Sequence, residues 1–567
     1  MHGLLRRWDV PPPSKPELGL RDRILDAREV SGAKEIADFL DPKLKLLEDP
    51  KDLPGASEAA KLLAESIREG KKVLIFGDYD ADGITASAVL YHIIRVATGQ
   101  EGPSIYIPDR FDEGYGIQVA AIEKFADQGI DLVVSVDCGI TAIDAANRAK
   151  ELGIQLIVTD HHKPIKDGTL PDCAAIVHPG LIEKPSTLFA GVGVAYQLAW
   201  AFARAWSGAE SVTQELSKEL LALLPLVAIG TVADMVPLVG GNRIITRWGL
   251  QLLPSTEYPG LRAIMAELDT PTKKLNAAHI SFGIAPLLNA AGRLSGAAKA
   301  VDLLTHLEGT VAKGAASELV KVNKRRQVIQ KSIIEEALKQ IETQQLSEQP
   351  IIILSNDEWQ RGVVGVAAGK CIESHYRPTI LLSGDGDELV GSARSIKGFS
   401  IFDALCACDE HLIKFGGHDM AAGLTLKRRS FAGFVAAMTE YAAENIEPDQ
   451  LIQSVMPDVI AEIHEVTNTV AVEIEKMGPF GIANRAPVLQ IMNVQLNDVK
   501  VMGGGGTHLS FKIGPQRIRC VWWNQGAHIE KLSNGTRANV IGKLKVNEFR
   551  GRRTAELDII DAQLPGA

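Results

Sequence analysis

Five aspartates and two histidines sit in short clusters whose spacing suits metal chemistry. Asp78, Asp80 and Asp82 alternate between Gly77 and Gly83; Asp137 opens Asp137-Cys138-Gly139; Asp160, His161 and His162 are consecutive. Each group follows a short apolar run: Val73–Phe76, Leu132–Val136 and Leu156–Thr159. In an open parallel sheet, ligand groups gather beyond the carboxyl ends of the strands, so residues distant in sequence would converge. Carboxylates packed that closely resist joint ionisation, and a divalent cation removes the cost. Oxygen-rich ligands with one or two imidazoles favour Mn2+ or Mg2+ over thiolate-type zinc. Two such ions, roughly 3.5–4 Å apart, can hold a hydroxide nucleophile and steady a phosphoryl group. Asp234, within Gly230–Leu238, is placed to add a ligand from a separate loop. One Asp at a strand end is ordinarily a helix cap or turn residue, and a lone Asp-x-Asp says little. Three strands ending alike point to a metal site.

The elements that must position these residues read as α/β. Helical patterns at 84–97, 117–127 and 141–151 alternate with continuous apolar strands, the signature of a parallel sheet covered on both faces. Ahead of them, 57–69 reads as a helix with Ser57 at its N-cap. The expected organisation is an N-terminal segment, 1–50; a catalytic domain, 51–315; a connecting helix, 316–345; a second α/β domain, 346–447; and a β-barrel of OB type, 448–567. The helix is clearest from Ala316 to Ile341, a span without Gly or Pro that carries Lys321, Lys324, Arg325, Arg326 and Lys331. Its lack of a continuous apolar face suggests a spacer. The barrel is expected from five or so short strands after about residue 488.

Composition bounds the rest. At 567 residues the chain can bury several cores, and 46% hydrophobic with 23% charged residues matches ordinary globular usage. No stretch approaches eighteen uninterrupted apolar residues, and the first residues lack a signal-peptide core. A cytoplasmic protein with no membrane partner is the expectation. Six cysteines form no CxxC pair, which speaks against structural zinc or a disulfide framework; Cys406 and Cys408 suit two faces of a strand or loop. The net charge is −10, but residues 488–567 carry eleven Lys or Arg against six Asp or Glu, so charge distribution matters more than the sum.

Together these motifs resemble the DHH phosphoesterases, whose naming triplet matches Asp160-His161-His162. Gly77–Gly83, Asp137-Cys138-Gly139 and Gly230–Leu238 are similar to further motifs of that family. The finer resemblance is to RecJ-type exonucleases. It rests on Ile107–Arg110 with Glu113–Gly116, Ala190–Ala195 and Asn289–Leu294, and on Gly391–Ser395, Gly416–His418 with Ala421–Gly423, and Met477–Gly481. It implies metal ligands at Asp80, Asp82, Asp137, His161 and Asp234, with Asp137 bridging two Mn2+ or Mg2+ ions. It also implies supporting or occasional ligand roles for Asp78 and Asp160, and a scissile-phosphate contact from His162. Arg110, Asn289, Arg293, Ser392, Arg394, Gly416, Gly417 and His418 would bind substrate, the last five from a DHHA1-type domain facing the catalytic one. The implied activity is 5′→3′ single-stranded-DNA exonucleolysis in recombination and repair, the strand threading between the two domains. Candidate partners are single-stranded DNA, a single-strand-binding protein and a DNA helicase. Leu287 and Gln360 depart from the pattern, where Arg and His are usual.

Several residues make sense in nucleic-acid terms directly. Gly416-Gly417 would let backbone approach a phosphate. In the barrel, Lys512, Arg517, Arg519, Lys543, Lys545, Arg550, Arg552 and Arg553 accompany Phe511, Trp522, Trp523 and Phe549, a mixture suited to single strands. Two other readings stay open. One is a phosphoesterase for short oligonucleotides, cyclic dinucleotides or pyrophosphate, against which the C-terminal barrel argues. The other is a noncatalytic scaffold, against which the complete ligand set argues.

Overall fold

The structure, a computed structural model, describes residues 2–110, 112–183, 185–208, 211–268, 275–294 and 296–564, and for Asp385 the backbone alone. It divides into two compact units: Gly32–Asn323 with Lys476–Ala486, and Met1–Ser31, Lys324–Glu475 and Pro487–Ala567.

The first unit is built on a five-stranded parallel sheet. Its elements are β1 (Val73–Phe76), α1 (Ala81–Thr98), β2 (Ser104–Tyr106), β3 (Leu132–Val136), β4 (Gln155–Thr159) and β5 (Ala175–Val177), in sheet order β2-β1-β3-β4-β5. The strands are apolar throughout because both faces are covered. Val73 and Ile75 of β1 pack into one core with α1, α2 (Gly191–Ser207) and α3 (Gln214–Ala233), while Leu74 and Phe76 pack into another with helices Val119–Asp127 and Ile143–Glu151. Phe76 pairs with Ser135, and Val136 with Thr159, so the carboxyl ends of β1, β3 and β4 fall at one edge. α3 is long and apolar, but most of it is buried inside the protein, as befits a core helix. α4 (Ala285–Leu294) follows a wide, π-type turn over Ile280–Ile284.

α5 (Gly309–Thr343) starts earlier than the sequence suggests, runs from one unit into the other and contributes to both cores. Ala312, Ala316 and Leu319 pack into the core of the first unit, whereas Ile333, Ala337 and Ile341 pack into that of the second. Two short apolar faces, separated along the helix, do not register as one stripe. Ser57 is likewise not an N-cap: the helix Ala56–Arg68 is preceded by Gly55 at φ 75°, where a side chain would be strained.

In the second unit, β6 (Ile352–Asn356), β7 (Thr379–Asp385), β8 (Glu388–Arg394), β9 (Leu412–His418) and β10 (Ala421–Lys427) form a sheet in the order β9-β10-β8-β7-β6, with helix α6 (Arg361–His375) between β6 and β7 in the chain. Cys406 lies in the helix Ile401–Ala407 and Cys408 just past it, not in a strand. A further sheet has seven strands: β11 (Val459–Ala461), β12 (Val488–Gln495), β13 (Asn497–Met502), β14 (His508–Ile513), β15 (Ile518–Trp522), β16 (Arg537–Phe549) and β17 (Arg552–Gln563). The N-terminal residues join this unit: Arg7–Trp8 pairs with Ser454–Val455, and Asp561 accepts hydrogen bonds from Leu5 N, Arg6 N and Trp8 Nε1.

Ile333→Ala or Ile341→Ala should destabilise the second unit by about 2–5 kcal/mol. Val328→Ala, at a 69% exposed position of the same helix, should change little. Urea unfolding followed by circular dichroism measures both.

Candidate metal centre

Every cluster singled out in the first unit reaches the same edge of the parallel sheet. After β1 the chain turns through Gly77 and Asp78 into α1, whose N-cap is Asp80; its Oδ1 accepts from the backbone N–H groups of Asp82 (2.9 Å) and Gly83 (3.2 Å). Asn289 Oδ1 accepts a further N–H, from Ala81, at 2.7 Å. Asp82 is buried and reaches α2 instead, where its two oxygens accept from Gly191 N (2.7 Å) and Val192 N (2.9 Å). The positive end of that helix favours the charge. Asp137 follows β3 at φ 62°, a left-handed conformation costing about 1–3 kcal/mol. Asp234 is the first residue past α3, in the turn that follows its C-terminal end. Close approach matters as much as the acids. A methyl group at Gly191 would lie 2.5 Å from Asp137 Cγ, and one at Gly230 would lie 2.7 Å from Asp82 Oδ1.

Ligand atoms lie within 4.8 Å of one another in each of three sets: Asp78, Asp80 and Asp137; Asp82, His161 and Asp234; and Asp137, His161 and His162. Asp137 and His161 each belong to two of the sets. His161 Nε2 is 3.2 Å from Asp137 Oδ1, 3.6 Å from Asp234 Oδ2 and 3.9 Å from Asp82 Oδ2. Asp78 Oδ1, Asp137 Oδ1 and His161 Nε2 are buried without a hydrogen-bond partner. Leaving such atoms unpaired costs about 1–3 kcal/mol each, and divalent cations fit these donors.

Electrostatics separates the groups by role. Burial first, then neighbouring carboxylates, pushes Asp78 up to about 8 and Asp234 to about 7, and pushes Asp82 and Asp137 well above the ordinary range. Burial, with help from the charge of His162, lowers His161 to about 3, leaving the neutral imidazole a metal needs. His162 behaves oppositely. Burial opposes its charge, but its hydrogen bond to Asp160 (Nδ1 to Oδ1, 2.7 Å) raises it to about 9. Burial likewise opposes ionisation of Asp160, which His162 nevertheless holds down to about 2. Asp160 also accepts from Ile140 N and His161 N, and it belongs to none of the three sets.

Two neighbours of His162 went unassigned in the sequence. The Tyr115 hydroxyl lies 2.9 Å from His162 Nδ1 and donates to Asp137 O at 3.3 Å, and His178 Nε2 is 2.7 Å from His162 O. Tyr115 stands in a motif already noted, but His178 is an isolated histidine with no local signal. Of the other expected residues in this unit, Arg110 lies over the Tyr79 ring at 4.9 Å, and Arg293 acts electrostatically on Tyr79. Leu287 is buried in the core, so that position presents no group to a substrate.

In the second unit, Ser392 and Arg394 lie on β8, while Gly416, Gly417 and His418 end β9. Arg394 and His418 both pair with Ala421, and Ser392 and Gly416 both pair with Gly423. These four residues therefore share one sheet face. Arg394 Nη1 donates to Ser392 Oγ at 2.8 Å. In the C-terminal sheet, Trp522 and Phe511 are buried and cannot serve as stacking platforms; Trp523 and Phe549 are exposed. Part of the cationic complement is paired: Lys512 and Arg517 with Asp498, and Arg519 and Lys545 with Glu556.

Family models match three segments: the DHH family, N-terminal domain, at 72–231; the DHHA1 domain at 348–444; and the RecJ OB domain at 457–561. The single-stranded-DNA-specific exonuclease RecJ of Salmonella typhimurium is 34% identical, over 98% of this chain and 96% of that protein. The chain belongs to the RecJ family. The Bacillus subtilis member is 35% identical over 98% of this chain and 70% of its own length. Thermus thermophilus RecJ in complex with Mn2+ superposes with a TM-score of 0.82 at 30% identity, covering 99% of this chain and 80% of that one. A RecJ structure bound to manganese gives 0.61 at 34% identity, covering 72% and 98%. The fold is thus that of a RecJ protein: a parallel-sheet DHH domain, a DHHA1 domain and a C-terminal OB domain.

In chelated protein, His162 should hold its proton until about pH 9. Asp160→Asn should return its midpoint toward the ordinary value of about 6.5, as read by NMR titration. The contact contributes most to stability between about pH 4 and 6.5. That contribution fades as pH rises through the raised histidine value and as it falls through the depressed aspartate value.

Proposed function

We propose that the chain is a metal-dependent 5′→3′ exonuclease specific for single-stranded DNA, hydrolysing phosphodiester bonds in recombination and repair. The observation that carries it is the convergence of Asp80, Asp82, Asp137, His161 and Asp234 at one sheet edge, beside a histidine held cationic by Asp160. Those five are the proposed ligands of two Mn2+ or Mg2+ ions. Asp137 is the shared ligand, and Asp78 supports the Asp80 side. A pair of divalent ions supplies, when bound, an activated water and neutralisation of phosphoryl charge. His162, with Asp160 fixing its Nδ1–H, presents its remaining N–H to an anionic phosphate oxygen. Asn289 holds the first turn of α1, and Arg110 and Arg293 add positive charge beside Tyr79. Ser392, Arg394, Gly416 and His418 form a second anion-binding patch, Gly417 keeping β9 close to β10. Polarity follows from family resemblance.

Membership of the RecJ family and the exposed Trp523 and Phe549 favour long single strands over dinucleotides. A cytoplasmic enzyme supplied with single strands by a DNA helicase, and working beside a single-strand-binding protein, fits this substrate.

End-labelled single- and double-stranded DNA, incubated with Mn2+, Mg2+ or chelator, tests the activity. The expected result is mononucleotide release from single strands alone, abolished by chelator and by Asp137→Ala. His162→Ala should lower kcat about 10²–10³-fold. Undiminished cleavage by Asp137→Ala would refute the ligand assignment. Calorimetry adds a pH test. Because folded-state values near 7–8 leave several acids partly protonated at neutral pH, Mn2+ binding should release protons and tighten as pH rises. The measured enthalpy at pH 7 should therefore depend on the buffer's ionisation enthalpy.

A further inference from the structure

Phe282 is 84% exposed, the most exposed large apolar side chain among the described residues. It sits in the wide turn Ile280–Ile284 that leads into α4. Such turns are rare and occur often at functional sites. Most of α4 is buried against the core, including Ala285, Leu287, Leu288, Ala290, Ala291 and Gly292. Pro286, Asn289 and Arg293 are only partly covered. Their spacing of three and four residues puts them in one stripe along the helix, and Phe282, four residues before Pro286, extends it.

One end of this stripe lies at the metal centre. Asn289 Oδ1 holds Ala81 N–H beside Asp80 and Asp82. A methyl group at Gly292 would collide with Tyr79 O, so the helix presses on the motif that carries the acids. Phe282 lies seven residues before Asn289, about 10 Å along the helix axis at 1.5 Å per residue. An exposed ring, a proline, an amide and an arginine thus lead in one line from solvent to the carboxylates.

We infer that Phe282 is a base-stacking platform that positions the single strand a short distance from the scissile phosphate. This rests on the single-strand substrate proposed above. An aromatic face accepts any base, as an exonuclease indifferent to sequence requires, and a ring in that position has no core to fill. Phe282 acts through the strand and touches no reacting atom, so it is a positioning residue.

The test compares wild type, Phe282→Ala and Phe282→Trp. Fluorescence anisotropy of a labelled 20-nucleotide single strand in chelator measures binding without cleavage, and kinetics with Mn2+ gives KM and kcat on that strand and on a dinucleotide. Phe282→Ala should weaken binding and raise KM about tenfold. Its kcat on the dinucleotide should not change, and Phe282→Trp should restore binding. A series of strands with one abasic site should contain a position that weakens wild type by a similar factor but leaves Phe282→Ala unaffected. Unchanged affinity in Phe282→Ala would overturn the inference, as would an equal fall in kcat on the dinucleotide. A wild type that binds the strand but does not cleave it in Mn2+ would sink the nuclease proposal instead, leaving the stacking result to be judged on binding alone.

Discussion

Carboxylates held out of water at one sheet edge repel each other, and the first unit is organised around tolerating that repulsion. Asp80 and Asp82 are each held by N-terminal backbone N–H groups of a helix, α1 and α2 respectively, where the helix dipole favours negative charge. Asp137 is fixed in a left-handed conformation after β3, with Gly191 admitting it closely. These devices ease ionisation without completing it: Asp78, Asp82, Asp137 and Asp234 remain shifted upward. The residual cost gives a divalent cation its purchase, since binding removes both the repulsion and the unsatisfied oxygens.

The adjacent histidines show how environment divides labour between identical residues. His161 is enclosed among buried acids and lies beside a cationic neighbour, and it stays neutral. His162 is one residue on and more exposed, and Asp160 keeps it charged. One is suited to a metal, the other to an anionic phosphate. Tyr115, and His178 donating to the backbone carbonyl of His162, fix the position of the second.

The parallel sheet and the gathering of acids at its edge were legible in the sequence, because uninterrupted apolar strands and strand-end aspartates are local patterns with a geometric consequence. Long-range relations were not. Nothing near His178 says that it meets the His162 carbonyl, and nothing near Gly191 says that its N–H and its missing side chain serve Asp82 and Asp137. Trp522 and Trp523 are neighbours with opposite fates because Trp522 ends strand β15 inside the core while Trp523 begins the turn after it, and composition alone cannot tell where the strand stops. The long helix misled for a related reason: its two apolar faces serve different cores and blur when read as one period.

Mn2+ titration of the metal-free protein, followed by electron paramagnetic resonance, addresses the shared carboxylate directly. Two ions per chain with a magnetically coupled signal are expected, the coupling disappearing when Asp137 is replaced by Ala. A single uncoupled ion, or a coupled pair that survives without Asp137, would contradict a centre organised around that residue.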